Sequence, residues 1–294
     1  MPQLIAQPMQ SLLTELEHHR NSRVLVLSAS QLDMSLLPKL YEQLLAIGQT
    51  ERLDVVLQCH GGEVNAARRI ALLLRQFTAH LSVIVPYYCQ SAATLLVLAA
   101  DEIVAGPMAV FSPLDPHLAG SNVADDGTSA LSCLDIKQFG EMARDWFDIT
   151  MDENKVELLS ILCGSIFPPT LTAFYRTTLE LKQIAAELLQ HQLPMVDTAA
   201  RSAIIEKLMF GYHSHNYAIT RDELKQLGLQ LATVPDIDTL VWQMSVNIQQ
   251  QVGGALRQSA DQPWQDVLLV SRDLRHSRLQ NENGMAQWTQ GDSE

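Results

Sequence analysis

Short β-branched apolar runs alternate with helix-length segments along the first hundred residues, and few architectures accept that pattern. Residues 23–28 (RVLVLS), 53–59 (LDVVLQC) and 81–86 (LSVIVP) have the length and composition of strands. Between the first two, Asp33 offers a helix cap ahead of Leu36, Leu37, Leu40, Leu44 and Leu45 at helical spacing. Residues 63–77 continue the alternation behind a Gly61-Gly62 break. A helix over 91–100 and short strands at 102–104 and 109–111, divided by a Gly106-Pro107 turn, complete it. Strands joined by helices pair in parallel, so the expectation is an α/β fold with a mostly parallel sheet of repeated βαβ and ββα units.

Beyond Phe111 the texture changes. Residues 112–132 (SPLDPHLAGSNVADDGTSALS) read as a long loop, and loops of that length are often functional. Helix then dominates, over 137–162, 169–191, 198–210, 221–227 and again after Asp236. With no internal repeat, residues 1–270 are expected to form a single domain with C-terminal helices. Residues 271–294 lack apolar periodicity and are expected to be a flexible tail.

Composition narrows the function. The 33 acidic residues outnumber 20 basic ones, for a net charge of −13, which argues against nucleic-acid binding because phosphate-tracking surfaces need clustered cations. No apolar run approaches the roughly 20 residues of a spanning helix, so no membrane span is expected. The first twenty residues lack a basic region followed by an apolar core and a small-residue cleavage site. Cys59, Cys89, Cys133 and Cys163 are widely spaced, as reduced thiols in a cytoplasmic protein would be. No P-loop, GxGxxG or HExxH motif occurs, so no nucleotide, dinucleotide or catalytic zinc is expected, and no cofactor at all.

Candidate chemistry gathers where strands end. The Gly61-Gly62 pair permits backbone angles closed to other residues and can aim N–H groups at a developing oxyanion, although a plain tight turn has the same signature. Ser91 follows Tyr87-Tyr88-Cys89-Gln90 at the start of an apolar helix, where a serine is either a nucleophile beside unpaired N–H groups or an ordinary N-cap.

Four stretches taken together carry a resemblance: His60-Gly61-Gly62, Ser91-Ala92-Ala93-Thr94, Ala99-Ala100-Asp101-Glu102-Ile103-Val104 and Ser112-Pro113-Leu114-Asp115-Pro116. With Ser214-His215-Asn216-Tyr217-Ala218-Ile219 and the ELKQLGL of 223–229, they resemble the serine dehydrogenase proteinase family of the Clp/crotonase superfamily, Clp-fold serine peptidases related to signal peptide peptidase. The resemblance runs from about residue 23 to 231. It implies a Clp/crotonase-like core and a serine peptidase that cleaves peptide bonds through an acyl-enzyme at Ser91. His215 would be the base, Asp115 its orienting carboxylate, and the N–H groups of Gly62 and Ala92 the oxyanion hole, with Gly61 and His60 beside the substrate. It further implies a homo-oligomer, with a separate ATPase partner if folded proteins are the substrate.

Lys137 and His117 are alternative bases, Lys137 as a neutral amine and His117 from the long loop. His213 is a third, and the spacing His213-x-His215 also occurs in metal sites, though no third ligand stands at motif spacing. This chain departs from the family pattern at Ala92-Ala93, where the family has two glycines, and at His60, where it has proline. If either alanine position required positive φ, the side chain would be strained. A non-catalytic Clp-fold scaffold and a crotonase-like acyl-CoA enzyme are therefore the competing readings.

Overall fold

The computed structural model describes residues 7–115, 132–149, 151–253, 262–281 and 285–291. Helix α1 (Met9–Arg20) leads into strand β1 (Arg23–Ala29), helix α2 (Leu36–Ile47) and strand β2 (Thr50–Cys59). Helix α3 (Val64–Arg75), strand β3 (Thr78–Val85), the two-residue strand β4 (Tyr88–Cys89) and helix α4 (Ala92–Val97) follow. Strands β5 (Glu102–Ala105) and β6 (Val110–Phe111) end this half. Helices α5 (Cys133–Phe147), α6 (Met151–Ser165), α7 (Pro168–Gln192), α8 (Thr198–Phe210) and α9 (Arg221–Gln226) form the next part. Strand β7 (Leu231–Ala232), helix α10 (Pro235–Gln251) and strands β8 (Trp264–Val270), β9 (Arg275–Gln280) and β10 (Gln287–Gly291) complete the described chain.

The sheet runs β10-β9-β8-β1-β2-β3-β5-β7, with β4 and β6 branching from β2. Pairing is parallel from β1 through β7 and antiparallel from β8 outward. This is the expected α/β fold with a largely parallel sheet. Strand β2 shows why it is covered on both faces. Its Leu53, Val55 and Leu57 join the layer that also holds buried residues of α2, α3, α4, α7 and α8, while Val56 packs with α1 and α10. The polar residues of the second face are satisfied rather than exposed. Asp54 receives Arg20 of α1 at 3.1 Å, and Gln58 Oε1 accepts the Ser245 hydroxyl of α10 at 2.7 Å.

Several expectations need correction. The helix expected over 137–162 is two helices, because Asp148 takes the left-handed conformation (φ 56°) that ends α5. Asp33 does not cap α2; its carboxylate accepts the Ser35 N–H at 2.9 Å within the preceding turn. The largest correction concerns residues 271–294. Residues 275–280 and 287–291 are strands of the sheet, so this stretch is not a loose tail. Its period-2 signal was concealed because the inward-facing residues are polar: His276 and Arg278 are buried, at 0% and 4% exposure. Arg278 binds Asp266 at 2.7 Å, Asp33 at 2.8 Å and the Ser35 hydroxyl at 2.6 Å, so its charge is fully compensated.

Among the described residues no single helix is long and apolar enough to cross a membrane. The pair Asn154–Ser165 and Pro168–Gln192 passes that test only when joined across a 102° bend.

Removing Arg278 leaves the buried Asp266 and the half-buried Asp33 without their counter-charge. Arg278→Ala should therefore lower unfolding free energy by roughly 3 kcal/mol in urea titrations, whereas Gln287→Ala on the exposed outer strand should change it by under about 0.5 kcal/mol. Equal midpoints for the two variants would refute a structural role for the C-terminal strands.

Candidate functional site

Two strand ends meet side by side. Cys59 closing β2 pairs with Cys89 closing β4, and the Gln90 N–H donates to the Cys59 carbonyl at 3.0 Å. The turns that follow are thereby brought into contact. Gly61 (φ 120°) and Gly62 (φ 134°) both require glycine, for different reasons. A Cβ on Gly61 would lie 2.8 Å from the Ser91 Cβ, whereas one on Gly62 would strike the backbone of Leu32. The Leu32 amide donates to the Gly61 carbonyl at 2.7 Å and the Glu63 amide to the Leu32 carbonyl at 2.8 Å, which fixes the turn to the segment after β1.

Ser91 adopts φ 51° and ψ −120°, a strained conformation for an L-residue that costs on the order of 1–3 kcal/mol. It is the geometry of a sharp strand-to-helix elbow, and its side chain makes no capping hydrogen bond to α4. The elbow is held from beneath. The Ser91 N–H donates to the Ser112 Oγ at 2.7 Å; the Ser112 N–H donates to Thr94 Oγ1 at 3.2 Å, and Thr94 Oγ1 donates to the Cys89 carbonyl at 2.6 Å. Ser112 and Thr94 are buried, so these bonds are shielded from water. The Ser91 backbone is thus secured while no described residue hydrogen-bonds its Oγ.

Neither alanine after Ser91 is strained. Among the described residues, positive φ outside glycine falls on Asn21, Ser91 and Asp148, while Ala92 and Ala93 lie buried in α4, where alanine is favourable. His60 is exposed, and its Nδ1 lies 3.0 Å from Gln90 Oε1, a bond that ties the glycine turn to the serine turn. The Cβ position of Gly61 faces Ser91 and that of Gly62 faces Leu32.

Asp115 is 8% exposed and accepts the Ser132 hydroxyl at 3.0 Å, which anchors the capped start of α5. His215 is half-buried with its Nδ1 shielded from solvent. Its loop is tied to the site through Ile219, which exchanges two 2.9 Å backbone bonds with Phe111, the residue before Ser112. Lys137 is exposed, with Nζ 3.5 Å from the centre of the Phe210 ring. His213 is exposed and lies 3.2 Å from Gln138. Among the described residues no three metal-ligating side chains cluster. His117 lies outside the described residues.

The roles of Ser112, Thr94 and Leu32 were not apparent from the sequence. Thr94 and Ser112 lie within stretches that carry the family resemblance, but nothing in those stretches indicates that the two side chains support the Ser91 backbone.

Part of the chain is similar to known proteins. Residues 1–145, just under half of the 294, match the model of the ClpP-like SDH-type serine proteinases. Two uncharacterized proteins of Methanocaldococcus jannaschii are similar over more of the chain. MJ1495 is 26% identical over 234 residues, 75% of this chain and 70% of its own. MJ0137 is 26% identical over 253 residues, 76% and 74% respectively. Solved structures of low overall fit include a mutant of the membrane-bound stomatin-specific protease 1510-N, with 14% identity, 72% of this chain and 79% of that chain covered, and a TM-score of 0.43. The ClpP protease catalytic domain from Plasmodium falciparum covers 79% of this chain and 94% of its own at 12% identity and a TM-score of 0.41.

Two thiols border the elbow. Burial pushes Cys59 up to about 12, and burial together with Cys59 raises Cys89 well above the ordinary thiol value. All four cysteines are free. A thiol reagent at pH 8 should label half-buried Cys163 in the native protein and reach Cys59 and Cys89 only after denaturation, as read by peptide mass mapping. Native labelling of Cys59 at the rate of Cys163 would contradict this packing.

Proposed function

We propose that this chain is a serine peptidase whose nucleophile is Ser91. One observation carries the reading: Ser91 holds a strained elbow conformation and spends its side chain on no cap. An ordinary N-cap serine would have extended backbone angles and would accept a hydrogen bond from the helix it starts. A strained residue persists only where its surroundings over-determine it, and such residues gather at functional sites.

In the proposed reaction, Ser91 Oγ attacks the substrate carbonyl carbon as its proton passes to His215, which Asp115 orients. Backbone N–H groups of the Gly61-Gly62 turn and of Ala92 stabilise the oxyanion. His215 then protonates the leaving amine, and water hydrolyses the acyl-enzyme. The bridge between Phe111 and Ile219 supports His215 as base, since it ties that loop beside Ser112. Contacts to the serine tighten when substrate binds, as is common for catalytic hydrogen bonds. Lys137 is the weaker candidate, because it is exposed with its Nζ over the Phe210 ring, whereas a lysine that acts as base is typically desolvated in an apolar pocket.

Intact-mass analysis after incubation with a fluorophosphonate tests the nucleophile. One adduct is expected on native protein and none on Ser91→Ala or heat-denatured protein. With a cleaved peptide in hand, His215→Ala should lower kcat by on the order of 10³-fold or more, and Lys137→Ala by under about tenfold. A native protein that takes no adduct would favour a non-catalytic scaffold.

We further propose that the peptidase works as a homo-oligomer in the reducing cytoplasm, in keeping with its free thiols, with a separate ATPase when the substrate is folded. Trp146 and Phe147 of α5, Val156 of α6, Phe167 at the N-cap of α7 and Tyr175 within it are 63–85% exposed, and large apolar side chains left open in this way are what partners cover. Val156→Glu combined with Phe167→Glu should convert the assembly to monomers in light scattering. A wild-type monomer at micromolar concentration would remove this part of the proposal.

A further inference from the structure

Beside Ser91 the surface carries a run of rings that the catalytic reading does not use. His60 and Tyr88 lie 4.6 Å apart between ring centres, Tyr88 and Tyr87 3.8 Å, and Tyr87 and Trp242 of α10 5.9 Å. The run is not part of the core: His60 is exposed, and both tyrosines and Trp242 are half-buried, whereas the core aromatic Phe111 is fully buried. Its orientation is fixed in advance. The Tyr87 hydroxyl donates to the Tyr88 hydroxyl at 2.7 Å, and His60 is held to Gln90 at 3.0 Å.

Position gives the run its meaning. His60 precedes Gly61 and Gln90 precedes Ser91, and those two following residues are in contact. The inner ring therefore sits one residue from the place where a substrate carbonyl would be attacked, and the outer ring leads away from it along the surface. A peptide held at Ser91 in extended form would carry a neighbouring side chain over this row. Open π-faces with preset orientation favour an offset-stacked or edge-on aromatic partner.

We propose that His60, Tyr88, Tyr87 and Trp242 form a shelf that selects peptides with an aromatic side chain close to the bond cleaved at Ser91. This rests on the peptidase reading above and names the substrate class for the same site. No carboxylate belongs to the shelf, which sets it apart from a subsite built for lysine or arginine.

The test uses the full chain and two readouts. Peptides matched except for Phe, Ala or Lys on either side of the scissile bond are compared by kcat/KM, and Ser91 is titrated in parallel with fluorophosphonate. Wild-type protein should prefer Phe over Ala by about tenfold, and Trp242→Leu and His60→Ala should bring that ratio towards one. N-acetyl-phenylalaninamide should also slow fluorophosphonate labelling of the wild type more than N-acetyl-alaninamide does, a measurement independent of whether either variant folds. Labelling at Ser91 with equal turnover of Phe and Ala peptides, or with preference for Lys, overturns the shelf and leaves the peptidase reading intact. Absence of labelling overturns the peptidase reading and the shelf with it.

Discussion

The hydrogen bond from the Ser91 N–H to the buried Ser112 hydroxyl is the contact on which the rest of this site depends. A serine at φ 51° does not stay there unaided; strain of on the order of 1–3 kcal/mol must be offset by fixed neighbours. Ser112 supplies one, and it is itself held by Thr94 from the first turn of α4. The elbow, its helix and the strand β6 are thereby locked into one unit. The parallel sheet makes this economical, because β2, β4 and β6 all end on the same edge and deliver Gly61, Ser91 and Ser112 to one place.

Much of this was legible in the sequence, for a definite reason. Strands buried on both faces read as largely apolar runs, and 53–59 and 81–86 do so with Asp54, Gln58 and Ser82 as their polar interruptions; α8 was expected and found over the same residues, 198–210. The Gly61-Gly62 pair and Ser91 were legible as motifs because their backbone demands restrict residue type. What was not legible depends on partners distant in sequence. The strands of 275–280 and 287–291 present buried His276 and Arg278 inward, and polar residues in core positions erase the alternation by which a strand is recognised. Likewise the motif that begins at Ser112 does not disclose what its hydroxyl does, because that depends on an amide 21 residues away.

Alanine in place of the family's glycines at 92 and 93 suggested a strained or disabled site. In the structure the positive φ falls on Ser91 itself and the alanines continue into helix, where their methyl groups fill the core. The substitution thus bears on packing behind the elbow rather than on its conformation. His60 is different, because its ring adds an exposed hydrogen-bonding group directly beside the turn.

Arg278 joins Asp266 on β8 to Asp33, the neighbour of Leu32, and Leu32 in turn holds the Gly61 carbonyl. The consequence is one of timing during synthesis. While a growing chain has reached only residue 270, every residue named in the proposed reaction has been made, yet Asp33 and Asp266 still lack their shared counter-charge. The support beneath Gly61 is completed only when β9 has been made and Arg278 can reach both carboxylates. The order in which the chain is made therefore sets the order in which the turn is braced: the glycines come early, and the charge that steadies their neighbour comes more than two hundred residues later.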